Sequence, residues 1–174
     1  MPNKLTDHWC VSYYEQTFED YHFCICYNSK KDIAYVWKNP HIKPEDNDNT
    51  KDGKYAPHCA MCNTGNIGIG VCAMARFNMK SKKSSAPLNK KQFELMCKLN
   101  AELAYKYKFK ISKETVATHS ERDKKISKPT GKIDIDYLPF EPTWNAEKIH
   151  DEIRKKTQWY YNKILENKGK LDLL

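Results

Sequence analysis

The sequence predicts one domain of the α/β (α+β) class, in which a mixed central β-sheet is flanked by helices. Short apolar segments of strand length occur together with two long segments of helical periodicity. The chain has 174 residues, enough to bury a single core. Apolar residues make up 40% and charged residues 30%, as in globular rather than disordered chains. No apolar run approaches the roughly 20 residues that cross a bilayer, so we expect no membrane span.

The first half of the chain predicts a hairpin, a loop and a central strand. Residues 19–27 are rich in aromatic side chains and predict a strand. A polar turn at residues 28–32 leads into a returning strand at residues 33–37. Residues 39–56 carry Pro, Asp, Asn and Lys and predict an exposed loop. Residues 66–74 are apolar and small, which is typical of a buried central strand whose glycines allow close approach to the backbone.

The second half predicts two helices. Asn89 can cap a helix of about 18 residues, and the side chains at helical spacing that would face the sheet are Phe93, Met96, Cys97, Asn100, Leu103, Ala104 and Tyr107. Residues 115–118 predict a brief strand ending at His119, and residues 132–138 an extended segment. Residues 145–167 predict a final amphipathic helix with Ile149, Ile153, Tyr160 and Ile164 on one side.

Charge and cysteine content leave several interpretations open. The formal charge of +8 suits a polyanionic partner, but a Lys-rich composition without any partner explains it equally. The seven cysteines are expected to be reduced thiols rather than a disulfide framework. The CxxC at Cys59 and Cys62 could hold zinc or be redox-active, although a structural zinc site needs four ligands. Cys24 and Cys26 fit an alternating strand pair.

Three segments place a possible metal ligand at or near the end of an extended segment, and these ligands are His8, His119 and Asp134. A catalytic zinc commonly takes three protein ligands and keeps a fourth position for water. In an extended segment Lys132 would point to the same side as Asp134 and could stabilise an oxyanion beside the metal. On spacing alone, these residues could also be ordinary surface residues.

Several motifs occur in a fixed order between about residue 6 and residue 139. His8-Trp9 is followed by Tyr21-His22-Phe23, then by Pro57-His58-Cys59-Ala60 and by Asn66-Ile67-Gly68-Ile69. Thr118-His119 and Lys132-Ile133-Asp134 complete the series. This ordered set resembles the type 2 N-acetylmuramoyl-L-alanine amidase family, which includes short bacteriophage endolysins and the animal peptidoglycan-recognition proteins.

The resemblance implies a zinc amidase. It would cut the amide bond between the lactyl group of muramic acid and L-alanine in bacterial peptidoglycan, with a zinc-bound water as the nucleophile. His8, His119 and Asp134 align with the ligands of one zinc ion, in a groove at one edge of the sheet. Lys132 and Tyr21 align with the catalytic residues, and His58 would line the substrate groove.

The same resemblance divides the chain into an amidase domain at residues 1–140 and a C-terminal helix at residues 141–174, expected to pack on that domain. We expect a monomer that binds peptidoglycan and no nucleic acid. Residues 1–5 lack the apolar stretch of a signal peptide. The expected location is therefore the cytoplasm until release to the cell wall, or the periplasm or exterior if a leader has been removed.

One departure keeps a non-enzymatic alternative open. Several members of that family carry a Glu on the central strand as general base, whereas this chain has Gly70 at the matching position. A peptidoglycan-binding protein without turnover is therefore the alternative to an active amidase. A nucleic-acid-binding protein using the +8 charge is a third class, but no RNA-binding aromatic motif or basic recognition helix occurs.

Overall fold

A mixed sheet of five strands lies at the centre of the fold, in the computed structural model that describes residues 1–167. The strands are β1 (Lys4–Trp9), β2 (Phe23–Asn28), β3 (Ile33–Lys38), β4 (Asn66–Val71) and β5 (Val116–Thr118). Their order across the sheet is β3-β2-β4-β1-β5, with β2 and β3 antiparallel and every other pair parallel. The predicted fold class is confirmed. Residues 168–174, the end of the predicted C-terminal segment, lie outside the described residues.

The two central strands are covered on both faces. Every residue of β4 is buried, and so is every residue of β1 after Lys4. Parallel strands in such positions are usually apolar throughout. Two of the polar residues here satisfy each other, since the Thr6 hydroxyl and the Asn66 amide are hydrogen-bonded across the β1–β4 pair. The predicted central strand is therefore present, although it ends at Val71 rather than at residue 74.

Both long helices form where local signals predict them. Helix α1 spans Lys90–Tyr107, and the Asn89 side chain accepts a hydrogen bond from the backbone N–H of Gln92. The last helix, called α3 below, spans Ala146–Glu166 and is capped in the same way by Asn145. It packs against α1 and contributes Ile149 and Ile153 to the main core.

Three local elements differ from the prediction. Strand β2 begins at Phe23 and not at residue 19, because the Asn39 amide binds the carbonyl oxygens of Glu19 and Tyr21 and holds that stretch in turns. The loop at residues 39–56 contains a 3₁₀ helix at Pro44–Asp48. A short helix, α2 (His119–Asp123), directly follows β5.

The predicted extended segment at residues 132–138 is wrong. Asp134 and Ile135 form a turn, in which the backbone N–H of Asp136 donates to the carbonyl of Ile133 at 2.7 Å. The Asp123 carboxylate, at the end of α2, accepts hydrogen bonds from the backbone N–H groups of Thr130, Gly131 and Lys132 and shapes this loop. Strand alternation therefore does not place Lys132 beside Asp134.

The prediction that all cysteines are reduced is also wrong for one pair. Cys59 and Cys62 form a disulfide within a tight turn, where the Cys62 N–H donates to the Cys59 carbonyl at 3.1 Å. Their separation of three residues places the two side chains close enough to bond. The other five cysteines, Cys10, Cys24, Cys26, Cys72 and Cys97, are free thiols.

Within residues 1–167, none of the helices has the length and apolar character needed to span a bilayer.

Candidate metal centre

Three side chains from distant parts of the chain meet around one carboxylate oxygen. Oδ2 of Asp134 lies 3.3 Å from Nδ1 of His8 and 3.0 Å from Nδ1 of His119. One ligand atom from each residue lies within 4.8 Å of the other two. We call these three residues the metal triad. The His8 side chain is 1% exposed, and those of His119 and Asp134 are each 12% exposed, so the cluster is shielded but open on one side.

The fold brings the triad together at the edge of the sheet. His8 lies near the carboxyl end of β1, and β5 pairs in parallel with β1, so the residue after β5 lies at the same end. That residue is His119, the first of α2, whose start is fixed by a capping box between Thr118 and Glu121. The backbone N–H of Ser120 donates to the carbonyl of Asp134 at 2.8 Å and holds the third member in place.

A chain of hydrogen bonds behind His8 fixes which of its nitrogens carries the proton. Nε2 of His58 lies 3.1 Å from the Asn66 carbonyl oxygen, which can only accept, so this nitrogen is protonated. Burial lowers the pKa of His58 well below its usual range, so the ring is neutral and its Nδ1 accepts. That Nδ1 lies 3.1 Å from Nε2 of His8, which must therefore donate. Burial also lowers the pKa of His8 to about 4, so Nδ1 of His8 holds a free lone pair.

His8 and Asp134 thus present acceptors to each other. The lone pair on Nδ1 of His8 faces the Asp134 carboxylate, and two buried acceptors in contact need a proton or a cation between them. Burial raises the pKa of Asp134, but the hydrogen bond with His119 and the closeness of the His8 ring outweigh it, so the net pKa lies below its usual range. Tetrahedral zinc with bonds of about 2.0–2.1 Å separates its ligand atoms by about 3.3 Å. The observed separations of 3.3 and 3.0 Å fit such an ion.

Tyr21 and Lys132, the two predicted catalytic residues, lie around the triad. The Tyr21 ring is 5.1 Å from the His8 ring, centre to centre. Burial and then the neighbouring Cys10 and Asp134 raise the pKa of Tyr21, so its phenol keeps its proton at neutral pH. Lys132 is exposed, and its positive charge is near enough to lower the pKa of His8. Tyr21 can therefore donate a hydrogen bond, and Lys132 can approach a ligand from the solvent side.

Gly70 lies opposite His8 in the β1–β4 register, directly beside the triad. A Cβ atom at this position would come within 2.6 Å of the Cys10 sulfur and 2.7 Å of the Tyr21 ring. These two side chains occupy the space that a longer residue at position 70 would need. No carboxylate from this point of β4 therefore reaches the triad.

His58, which the resemblance predicts to line the substrate groove, lies directly behind His8. The residue is 6% exposed, and both ring nitrogens are engaged, one with His8 and one with Asn66. Metal-binding histidines commonly donate their other N–H to such a partner, which orients the ring. The structure thus places His58 behind His8, where it can orient a metal ligand. His22, expected to be structural, is buried against Asn47 and the Gly68 N–H.

Two residues that support the site were missed in the sequence. The Asp123 carboxylate accepts hydrogen bonds from backbone N–H groups of the loop just before Asp134. The hydrogen bonds from Thr130 and its neighbours lower the pKa of Asp123 to about 2. His150 of α3 is 2.8 Å from Oδ1 of Asp136 and 3.2 Å from the Thr118 hydroxyl. A histidine on the apolar face of the predicted helix was the available signal for His150, while nothing in the sequence distinguishes Asp123.

Comparison with solved structures gives a similarity of fold. No protein-family model matches the chain, and no curated protein sequence matches it. Among solved structures, the chain is similar to AmiD, an N-acetylmuramyl-L-alanine amidase from E. coli in complex with anhydro-N-acetylmuramic acid-L-Ala-D-gamma-Glu-L-Lys. The TM-score is 0.48 and the sequence identity 15%, over 74% of this chain and 52% of AmiD. The matched region is thus about half of AmiD, and the likeness carries no argument about activity.

Proposed function

We propose that the chain is a zinc-dependent N-acetylmuramoyl-L-alanine amidase that hydrolyses the bond between the muramic acid lactyl group and L-alanine of peptidoglycan. The observation that carries the proposal is the convergence of His8, His119 and Asp134 on one point. These residues come from three of the motifs that resemble the amidase family. The protonation state of His8, set by the bonds behind it, suits a cation.

Each residue of the site has a distinct proposed part. A zinc ion, when bound, supplies Lewis acidity that activates water for attack on a carbonyl carbon near neutral pH. His8 would hold the ion from the buried side, and His119 and Asp134 from the more open side. Lys132, exposed at the rim, would stabilise negative charge on the attacked carbonyl oxygen. The protonated Tyr21 would donate a hydrogen bond to the substrate.

Gly70 supports a second candidate, a peptidoglycan-binding protein without turnover. The side chains of Cys10 and Tyr21 fill the place where several amidases carry a general base. Because the pKa of Tyr21 is raised, the phenol cannot replace that base at neutral pH. A chain of this kind would keep its affinity for the wall and release no product.

The test is incubation of the purified protein with purified peptidoglycan, followed by separate measurement of new amino groups and new reducing sugars. New L-alanine amino termini that disappear with a zinc chelator and return with added zinc are expected. His119→Ala should abolish them, whereas His41→Ala, at an exposed histidine, should not. Sedimentation with the wall without new amines would support the binding protein instead. Reducing sugars without amines would contradict both candidates.

A further inference from the structure

Four of the seven cysteines gather on the sheet face that carries His8. In the strand register, His8 and Cys24 both lie beside Gly70 of β4. Side chains alternate along a strand with period two, so the next positions on this face form a second row across three strands. That row consists of Cys10, Cys72 and Cys26. Together with Cys24 we call these residues the thiol cluster, which borders the metal triad but shares no residue with it.

Three members of the thiol cluster are buried, and the sulfurs of two of them are in contact. Cys24, Cys26 and Cys72 are each 0% exposed, and the sulfurs of Cys26 and Cys72 are 3.7 Å apart. The missing side chain at Gly70 lets the Cys10 sulfur extend toward the row of Cys24. Hydrogen bonds from Cys10 and Cys72 lower the pKa of Cys24 to about 4, which agrees with close contact among these thiols.

A disulfide fits this arrangement less well than a metal ion does. Side-by-side residues on neighbouring parallel strands have Cβ atoms about one strand spacing apart, roughly 4.8 Å. A disulfide needs a Cβ separation of about 3.5–4.5 Å. A tetrahedral ion with metal–sulfur bonds of about 2.3 Å keeps its sulfur ligands about 3.8 Å apart. The observed separation of Cys26 and Cys72 is 3.7 Å.

We propose that the thiol cluster is a second metal site, which binds a thiophilic ion of the zinc, cadmium or copper(I) class. Cys26 and Cys72 supply the first two sulfurs, and Cys24 and Cys10 move inward to complete the coordination. Each ligating thiol loses its S–H proton to solvent as the metal–sulfur bond forms. Cys10 is the partly exposed member and marks the side from which an ion enters. The inference does not depend on the proposed amidase activity.

The test is titration of the reduced, metal-free protein with Co²⁺, followed by absorption spectroscopy. Thiolate ligands give a sulfur-to-cobalt charge-transfer band in the near ultraviolet, whereas a site of nitrogen and oxygen ligands does not. Two equivalents of Co²⁺ should bind, one at the metal triad and one at the thiol cluster, and only the second should give the charge-transfer band. Cys26→Ser/Cys72→Ser should lose the band and one equivalent. His119→Ala should keep the band and lose the other equivalent.

Two control variants locate the signal. Cys97→Ser removes a buried free thiol outside the cluster and should leave the band unchanged. Cys59→Ser/Cys62→Ser should also keep it, and loss of the band in that variant would assign the metal to the loop and overturn the proposal. Absence of the band in the unsubstituted protein would overturn it as well, without reliance on any variant that may fold poorly. Because the readout is absorption, failure of the amidase assay would not affect this result.

Discussion

At the scale of single residues, His8 shows how a buried side chain can be prepared for a ligand. Its Nε2 is committed to His58, and its Nδ1 faces Asp134. The Asn66 carbonyl, two side chains away, determines this arrangement because it can only accept a hydrogen bond. The convergence of His8, His119 and Asp134 on one candidate metal site could be predicted from sequence motifs. The relay through His58 could not, because it joins residues 50 positions apart and depends on how the loop folds back on the sheet.

Replacement of His58 by Leu should weaken zinc binding by about 10–100-fold, the usual effect of removing a partner that orients a metal ligand. Without the acceptor Nδ1, the His8 ring can rotate or take the other tautomer. Zinc affinity would be measured by competition with a chromophoric chelator. His41→Leu, at an exposed histidine, is the matched control. Equal affinities of the two folded variants would contradict the proposed role of His58.

His22 should make the protein sensitive to acid. Burial lowers the pKa of His22 to about 4 in the folded chain, against about 6.5 when unfolded. The folded state therefore binds fewer protons in this range, and the free energy of unfolding falls as the pH drops from 6.5 to 4. The loss attributable to His22 is about 3 kcal/mol. The free energy of unfolding, measured by urea denaturation at several pH values, should fall less steeply with pH for His22→Gln than for the unsubstituted protein. An equal pH dependence of the two proteins would contradict the assignment.

At the scale of elements, local signals determined what could be predicted. The caps Asn89 and Asn145 and the apolar periodicity of α1 and α3 lie within each helix, so the sequence predicts both helices closely. The segment from Lys132 to Leu138 has an alternating pattern but does not form a strand. Its conformation comes from Asp123 and Ser120, which bind its backbone from another part of the chain. A pattern of period two therefore fails where side chains from elsewhere take the backbone hydrogen bonds.

His150 connects α3 to the loop of the metal triad. His150→Leu should leave Asp136 and Thr118 without this partner and reduce the free energy of unfolding by about 1–3 kcal/mol. Zinc affinity should fall too, because Ser120 and Asp136 flank two of the triad ligands. Chemical denaturation and chelator competition would measure the two effects. Lys155→Leu, at an exposed position of the same helix, should change neither. A stability loss with unchanged affinity would limit His150 to a structural role.

At the scale of the whole molecule, the mixed class was predictable but the strand order was not. Segments of strand length can be recognised one at a time, whereas β1 lies between β4 and β5 through parallel pairings with residues far along the chain. Ile149 and Ile153 of α3 are buried in the same cluster as Leu99 and Leu103 of α1. The described part of the molecule therefore has one main core.

A chain ending at residue 140 should fail to fold cooperatively. Its truncation removes the apolar face of α3 and exposes the surface of α1 on which that face packs. The intact chain should unfold with coincident transitions in near- and far-ultraviolet circular dichroism. The shortened chain should lack the near-ultraviolet signal and show no sharp transition. Native-like spectra and a cooperative melt for residues 1–140 would establish an independent domain and contradict this expectation.

The position of β1 has a consequence for the order of events in folding. Its neighbours are at residues 66–71 and 116–118, so its pairings close very long loops. Such non-local contacts slow folding because chain entropy is lost before they form. During synthesis, His8 leaves the ribosome before the other residues of the metal triad. It can contact them only after Asp134 and the supporting His150 have also been synthesised. We expect the hairpin of β2 and β3 to form early and the ligand site to be among the last parts to assemble.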